Sequence, residues 1–331
     1  MTTTPPSLTK APDRLTLRER MPSVAILGPL IALALAIIFF STQSDRFLSA
    51  QNFSLIFQQV SYVAVLAIGQ TLIILTAGID LAAGVIMALG GVVMTRLAVN
   101  SGLNPYLSIG LGLFATTFVG WLNGLLITRL RLPPFIVTLG MYGIVFGATQ
   151  VYSRSETVSN LPDPLNFFGS TFRVGATTWT YGTVLMLLLY LLTHLILTQT
   201  GPGRHLYAVG NNPEAARLTG IPTNRVILLV YTLAGLTYGI AALLLTARTG
   251  VGDPNAGQTE ALASITAVVL GGTSLFGGRG AIVGTLLGAL IVGVFTNGLT
   301  LMGVPSVYQY IITGVLTILA VAVDQLSRKK A

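Results

Sequence analysis

Apolar residues dominate this chain in long runs that short polar stretches separate. A helix needs about 20 apolar residues to cross the hydrocarbon core of a bilayer, and most of the runs approach that length. The runs predict ten transmembrane helices, at residues 24–41, 57–76, 82–98, 106–128, 135–153, 181–199, 226–246, 260–276, 281–300 and 306–325. We therefore expect an all-α, polytopic membrane protein of about ten transmembrane helices.

The span count and the basic residues predict the same topology. An even number of spans puts both termini on one side of the membrane. Basic residues precede the first span, follow the last and occur together at Arg129 and Arg131, as expected of cytoplasmic segments. We expect a disordered cytoplasmic tail at 1–22, a transmembrane domain at 23–327 with a cytoplasmic segment at 203–224, and a cytoplasmic tail at 328–331.

Composition supports the membrane class. Hydrophobic residues make up 53% of the 331 residues and charged residues only 8%, whereas soluble domains carry about 25% charged residues. The net charge is +8, but no aromatic residues on which bases could stack accompany the basic residues. We therefore expect no nucleic-acid partner. There are no cysteines and only two histidines, so we expect no thiol chemistry and no metal site.

Catalytic motifs are missing from the sequence. It contains no H-E-x-x-H or G-x-S-x-G motif, and no predicted span holds a pair of carboxylates. The only lysines are Lys10, Lys329 and Lys330, and none has the context of a phosphate-binding loop. We expect no catalysis and no bound cofactor, so active transport would draw on another chain or on an ion gradient.

Asp80 is the one carboxylate with a strong claim to a function inside the membrane. It lies in "LTAGIDLAAG", between the second and third spans, where Gly78 and Gly84 would permit a helix break. Asp80 could cap the third helix, contact a solute directly or carry a proton. The sequence leaves these three roles open.

A second break is predicted in "LGGTSLFGGRG", Leu270 to Gly280, where Thr273 and Ser274 interrupt an apolar region. Transporters often build their pathways from broken helices in two halves of an internal repeat. Five spans on either side of residues 154–180 predict a five-plus-five inverted repeat with broken helices.

Other polar groups and glycines are scattered within the spans. Gln70, Asn123 and Asn297 could line a pathway or form hydrogen bonds between helices. Glycines four residues apart predict close helix packing. These are Gly120 and Gly124, Gly143 and Gly147, Gly235 and Gly239, and Gly280, Gly284 and Gly288.

"NNPEAARLTGI" predicts a short polar helix that cannot lie in lipid. Asn212 is a good N-cap, Pro213 fits the first helical position, and Glu214 lies near the positive end of the helix dipole. Gly220 can take the left-handed conformation that ends a helix. Glu214 and Arg217 are expected to face water, with an apolar edge at Ala215, Leu218 and Ile221. The segment is either a connector that rests on its own protein or a docking site for a cytoplasmic partner.

"EAARLTGI" resembles the EAA-type coupling loop of ATP-binding-cassette importer permeases. Five strings in order are similar to permeases of the monosaccharide class, the ribose, xylose and galactose group. They are "AGIDLAAG", "LPPFIVTLGMYGIVFG", "AVGNNPEAARLTGI", "AVVLGGTSLFGGRGAIVGTLLGALIVG" and "YQYIITGVLTILAVAVD". Together they cover most of the chain from about residue 60.

The resemblance implies a paired permease, as a homodimer or heterodimer, in a bacterial inner membrane. It also implies ATPase subunits below, which hold ATP and Mg²⁺, and a periplasmic sugar-binding protein above. Residues that match the coupling segment are Asn212, Pro213, Glu214, Ala215, Ala216, Arg217 and Gly220. Residues that match motifs near the expected pathway are Gly78, Asp80, Gly84, Thr273 and Ser274, and Phe135 is a further pathway candidate.

The chain also departs from the family pattern. Ala82 replaces a serine that usually follows "GIDL", and Ala261 and Ala263 replace the acidic residues of an "ELDAI" string, with Glu260 one place earlier. The sugar therefore stays open. The leading hypothesis is the permease subunit of a sugar importer driven by ATP. The alternative is a carrier of a small polar solute coupled to an ion gradient, and a membrane scaffold or enzyme fits less well.

Overall fold

The computed structural model describes residues 24–329, so the predictions for residues 1–22 and for residues 330 and 331 lie outside the described part of the chain. About three quarters of the described chain is helical. Its α-helices are α1 (Val24–Gln43), α2 (Ala50–Leu75), α3 (Ala83–Val99), α4 (Pro105–Arg129), α5 (Pro134–Ser153), α6 (Asp163–Asn166), α7 (Tyr181–Gln199), α8 (Gly201–Asn211), α9 (Pro213–Leu218), α10 (Thr223–Thr249), α11 (Glu260–Leu270), α12 (Ile282–Leu301) and α13 (Ser306–Lys329).

Among the described helices, seven are long and apolar enough to cross a membrane: α1, α2, α4, α5, α7, α10 and α12. Three shorter apolar segments accompany them, namely α3, α11 and the Ser306–Leu319 part of α13. The prediction of an all-α, polytopic membrane protein is confirmed.

The span predicted at 260–276 is wrong at its C-terminal end. α11 ends at Leu270, and the chain stays non-helical until α12 begins at Ile282. Gly272, Gly277 and Gly278 have φ angles of 82°, 81° and 70°. Glycine adopts such positive angles at little cost, so these residues turn the chain where the apolar run alone suggested a continuous helix.

The connection at 154–180 holds structure that the sequence analysis did not predict. α6 and a 3-10 helix (Phe167–Gly169) lead into a β-hairpin, in which β1 (Thr171–Val174) pairs antiparallel with β2 (Thr177–Thr180). The Gln58 amide of α2 donates to the Thr178 carbonyl at 2.7 Å. The Trp179 and Phe57 rings lie 5.5 Å apart. These contacts attach the hairpin to α2.

α2 is the central helix of the bundle. It packs against α7, α10, α11 and α12, and most of its residues are buried. α10 packs in turn on α2, α3 and α4. A separate cluster around Phe40 and Val294 attaches α1 to α12. These apolar surfaces bury each other inside the bundle. The outer faces of α1, α5, α7 and α13 also carry many exposed apolar side chains, as expected of surfaces that face lipid.

The bundle has two ends that differ in structure. We call the end that carries the β-hairpin and residues 250–259 the hairpin end, because Val158 and Gly252 bond to each other there. We call the opposite end, which carries α8 and α9, the α9 end. The connection at 130–133 lies at the α9 end, because Gly124 of α4 packs against Leu228 near the start of α10.

The glycine packing prediction is confirmed for three of the four sets. At Gly120, a Cβ would stand 2.9 Å from the Gly235 Cα, so α4 and α10 touch through their backbones. Gly124 and Gly239 lie in the same crossing, and Gly284 and Gly288 pack α12 on the backbone of α11. The prediction is wrong for Gly143 and Gly147, because no atom of the described chain lies within 4 Å of a Cβ at either position.

Candidate functional site

Two adjoining cavities lie at the hairpin end, between α2, α10, α11 and α13. Their volumes are about 390 Å³ and 620 Å³, and Tyr62, Arg248, Thr259, Glu260 and Tyr310 line both. Further polar lining residues are Gln59, Asp253, Asn255, Gln258, Thr296, Thr300, Ser306, Gln309 and Thr313. Sites for small ligands usually measure about 300–1,000 Å³ and hold a few polar groups among apolar ones, so these cavities have the size of a ligand site.

Opposite charges face these cavities without pairing. Arg248, in the last turn of α10, lies 5.8 Å from the centre of the Tyr62 ring, in a cation–π contact. Glu260, in the first turn of α11, accepts hydrogen bonds at 3.2 Å from the backbone N–H and the hydroxyl of Thr259. In the described chain, the one ion pair within 4 Å joins Arg217 and Glu214. The cavities therefore present both a cation and an anion that could bind the hydroxyl groups of a polar ligand.

Sequence reasoning missed these cavity residues. Arg248 and Glu260 lie next to the ends of predicted spans, where charged residues are normally assigned to loops. The signal was present, since both charges flank a connection rich in polar side chains, Asp253, Asn255 and Gln258. None of the predicted pathway residues lines either cavity.

The first turn of α3 meets the segment before α11 beside the larger cavity. A Cβ at Gly84 would overlap the carbonyl of Gly257, and a Cβ at Gly257 would overlap the carbonyl of Gly84. Met87 of α3 and Ala256 line the adjacent cavity wall. Gly84 is thus required for a backbone contact that closes the cavity on this side.

Asp80 lies in the break between α2 and α3 and is fully buried. One carboxylate oxygen accepts the Ala82 N–H at 2.8 Å, and the other accepts the Tyr238 hydroxyl at 3.2 Å. The Gln70 amide donates to the Asp80 carbonyl at 2.6 Å. Asp80 therefore binds the N–H of the residue before α3 and connects this break to α10.

The neighbouring carbonyl of the break is also satisfied. The Thr138 hydroxyl of α5 donates to the Ile79 carbonyl at 3.1 Å. Gly78 allows close approach, since a Cβ there would stand 2.7 Å from the Tyr231 hydroxyl. The structure thus brings Gln70, Gly78 and Asp80 together around one break. The side-chain amide oxygen of Gln70 and the Tyr231 hydroxyl have no hydrogen-bond partner among the described residues.

The second break contacts the end of α2. The Gly278 N–H donates to the Leu75 carbonyl at 3.0 Å, and a Cβ at Gly277 would stand 2.8 Å from the Ala77 nitrogen. Thr273 is buried, and its side chain packs on Gly280. The Ser274 N–H donates to the Arg279 carbonyl at 3.0 Å, which folds this loop back on itself.

α8 joins both breaks at this point. The Tyr207 hydroxyl donates to the Gly280 carbonyl at 2.9 Å. At Gly210, a Cβ would overlap the Leu75 carbonyl and stand 2.7 Å from the Gly278 nitrogen. We call this meeting of Leu75–Gly78, Gly277–Gly280 and Tyr207–Asn211 the junction. At the junction, α8 therefore touches the end of α2 and the segment before α12, in part through direct backbone contact.

The remaining pathway candidates are dispersed. Asn297 of α12 accepts a hydrogen bond at 3.0 Å from Asn52 of α2, close to the hairpin end. Asn123 is buried in α4 and has no hydrogen-bond partner among the described residues. Phe135 lies in the first turn of α5 and is 47% exposed. The structure therefore does not place these three with Asp80.

α9 forms as the sequence predicts. The Asn212 side chain accepts the N–H groups of Glu214 at 3.1 Å and Ala215 at 3.0 Å, and Pro213 is the first helical residue. Gly220 has a φ of 88°. Arg217 donates to both carboxylate oxygens of Glu214, at 2.6 and 3.1 Å. This bonding and the Arg217 charge hold the pKa of Glu214 below its ordinary value, so the pair stays ionised in water.

The apolar edge predicted for α9 does not pack on the bundle. Ala216 is the buried residue of this helix, while Ala215 and Leu218 point away from the bundle. Leu218 is 75% exposed. Ala216 packs on the bundle, and the exposed Leu218 lies beside the Glu214–Arg217 ion pair. α9 therefore has a surface that is partly apolar and partly charged.

Comparison with known proteins decides the family. Residues 52–321 match the family described as the permease component of branched-chain amino acid transport systems. The chain belongs to this permease family.

Curated relatives of the permease extend over nearly its whole length. The fructose import permease protein of Rhizobium meliloti is 48% identical over 92% of this chain and 86% of its own. The ribose import permease protein of Bacillus subtilis (strain 168) is 40% identical over 92% and 93%. The D-allose transport system permease protein of Escherichia coli (strain K12) is 36% identical over 91% and 92%. No solved structure matches the permease.

The buried Asp80–Tyr238 bond predicts a stability difference between two tyrosines. Tyr238→Phe leaves a buried carboxylate with one donor fewer, and hydrogen bonds to charged groups contribute about 1.5–3 kcal/mol. Tyr190→Phe removes a neutral bond to the Ala64 carbonyl, worth about 0.5–1.5 kcal/mol. Thermal unfolding in detergent should show the larger loss for Tyr238→Phe. An equal or smaller loss would contradict an ionised Asp80 in this network.

Proposed function

We propose that this permease is the transmembrane subunit of an ATP-binding-cassette importer for a monosaccharide or related small polyol. A separate ATPase supplies the energy, and a periplasmic binding protein delivers the solute. The observation that carries the proposal is α9, a capped polar helix exposed at one end of an apolar bundle. The relatives, import permeases for fructose and ribose among them, support the choice of solute class.

The proposed topology has ten membrane-embedded helices in two inverted halves. The halves are α1–α5 and then α7, α10, α11, α12 and α13, so that α3 corresponds to α11. Four matched pairs of helix contacts support the repeat. α3 packs on α4 and α5 as α11 packs on α12 and α13, and α10 packs on α3 and α4 as α2 packs on α11 and α12. In this repeat, the counterpart of residues 76–82 is 250–259, because both precede a short helix.

We propose that the α9 end faces the cytoplasm, together with both termini and residues 203–224 and 328–331. Basic residues support this orientation under the positive-inside rule. Those at the α9 end are Arg129, Arg131, Arg204, Arg217, Arg225 and Arg279. The hairpin end carries Arg46, Arg96, Arg154, Arg173 and Arg248, so the larger share of the bias comes from the basic tails, Lys10 to Arg20 and Arg328 to Lys330 in the sequence, which an even number of spans puts on the side of the α9 end.

In the proposed mechanism, the two cavities receive the solute at the periplasmic side. Arg248 and Glu260 offer hydrogen bonds to its hydroxyls, and Tyr62 offers an aromatic face. Passage towards the cytoplasm requires the Gly84–Gly257 contact to separate. Both glycines belong to segments next to breaks, and these are the segments that can shift without unwinding a long helix.

The proposed force path runs from the ATPase to α9, then to α8 and the junction. The proposed contact surface on α9 is formed by Asn212, Pro213, Glu214, Ala215, Arg217 and Leu218, with Ala216 and Gly220 holding its shape. Displacement of α8 acts on both breaks through Tyr207 and Gly210. The first break is held by Gln70, Gly78 and Asp80, and the second by Thr273 and Ser274. The remaining pathway candidates, with a weaker role, are Asn123, Phe135 and Asn297.

The proposed partners follow from this role. They are an ATPase that holds ATP and Mg²⁺, a periplasmic sugar-binding protein, a second permease copy or paralogue, and the lipid membrane. The chain itself binds no cofactor and no nucleic acid in this proposal.

Glu214→Lys tests the docking role of α9. The substitution replaces the Glu214–Arg217 pair with two positive charges on an exposed surface, so insertion and folding should be unchanged. ATP-dependent uptake in vesicles should fall to background, and the ATPase should no longer co-purify. The control is Glu156→Lys, at the hairpin end. Normal uptake by Glu214→Lys would contradict the proposal, and uptake that persists without ATPase but stops with an ionophore would favour the ion-coupled carrier.

Tyr207→Phe tests the junction apart from docking. It removes the hydrogen bond to Gly280 without touching α9, so ATPase binding should be unchanged. Because one bond joining α8 to the second break is lost, uptake per ATP hydrolysed should fall several-fold. Tyr142→Phe, on α5, serves as the control. An unchanged ratio of uptake to hydrolysis in Tyr207→Phe would show that force does not pass through this bond.

A further inference from the structure

A groove runs along the outside of the bundle where α7 and α10 diverge. Both helices pack on α2, and the buried side chains of Ile68 and Leu72 form the floor between them. The groove has a volume of about 380 Å³, and α8 closes it at the α9 end.

The walls of the groove are aliphatic and open to the membrane. Leu192 and Ile196 of α7 are 53% and 41% exposed, and Leu229 and Leu233 of α10 are 55% and 40% exposed. In water such a surface would be costly, but in a bilayer its occupant is an acyl chain. The concave shape distinguishes it from the apolar surface of α1, where exposed side chains such as Leu35 stand on a single helix.

The length of the groove matches one leaflet. Its α10 wall extends from Arg225 to Ile240, which is about 22 Å along a helix. Half of a bilayer, with its headgroup region, measures about 20–22 Å. The groove therefore extends from the membrane surface to the midplane and no further.

Cationic and polar nitrogen groups mark the surface end of the groove. Arg225 at the start of α10 and His205 of α8 both line it and are exposed. Across the described residues, no carboxylate lies within 4 Å of Arg225. Basic residues between transmembrane helices on the cytoplasmic side are suited to bind the phosphate of an anionic lipid.

We propose that this groove is a binding site for one anionic phospholipid of the inner leaflet, with an acyl chain between α7 and α10 and the phosphate at Arg225 and His205. The inference rests on the proposed cytoplasmic placement of the α9 end. The bound lipid would touch α8, whose Leu206 lines the groove one residue before Tyr207 of the junction. The site thus joins the lipid to the helix that holds both breaks.

Native mass spectrometry of the purified permease tests the site, with phosphatidylglycerol and phosphatidylcholine of identical acyl chains. The permease should retain phosphatidylglycerol about fivefold better, as expected for one arginine at a headgroup. Arg225→Gln should remove this preference, while Arg129→Gln, at the same end, should keep it. Leu229→Trp fills the groove and should lower retention of both lipids, while Leu35→Trp should not.

Three results would overturn the proposal. The first is equal retention of the two lipids by the unmodified permease. The second is displacement of phosphatidylglycerol by excess inorganic phosphate, which would indicate a site for free anions. The third is cross-linking of two copies through Leu229→Cys in native membranes, which would make the groove a subunit interface. Because no transport is measured, failure here leaves the importer proposal standing, and failure of Glu214→Lys leaves the lipid result standing.

Discussion

Backbone hydrogen bonding inside the membrane is the constraint on which the structure depends. An N–H or C=O group left unpaired in hydrocarbon costs several kcal/mol, so non-helical backbone survives only where protein satisfies it. Here each break has specific partners: Gln70 for the Asp80 carbonyl, Thr138 for the Ile79 carbonyl, and Gly278 for the Leu75 carbonyl. These bonds let the chain leave the helical conformation inside the bundle. A transporter needs such non-helical breaks if its helices are to move relative to one another.

The junction gives these breaks a mechanical role. Two breaks, far apart in sequence, meet the same helix, α8: the second through the Tyr207–Gly280 hydrogen bond, and the first through the close packing of Gly210 on the Leu75 carbonyl. Glycines at 210, 277 and 278 bring backbone against backbone, so no flexible side chain absorbs a displacement. α9 continues directly from α8 through Asn212 and presents its charged surface to water. A partner that grips α9 therefore acts on both breaks at once, and a lipid beside Leu206 would act on the same helix.

Local features were predictable from sequence, and long-range pairings were not. The Asn212 cap and the Gly220 turn follow from neighbouring residues, so α9 forms as expected. Tyr238, the partner of Asp80, lies 158 residues away, and nothing in the spacing of either residue joins them. Spacing also predicts that Gly143 and Gly147 share a helix face, but it does not say whether another helix covers that face. The cavity escaped prediction because Arg248 and Glu260 stand where spans end, and only the fold shows that those ends enclose a space.

We propose that α9 lies at the cytoplasmic surface and is bound there by the ATPase. The chain has no cysteine, so Leu218→Cys creates a single labelling site on an apolar residue of α9 that is 75% exposed. Its reaction with a membrane-impermeant maleimide can be measured in vesicles of both orientations, with and without the ATPase. We expect labelling in inside-out vesicles alone, and protection from labelling when the ATPase is bound. Labelling in right-side-out vesicles, or equal labelling with and without the ATPase, would contradict it.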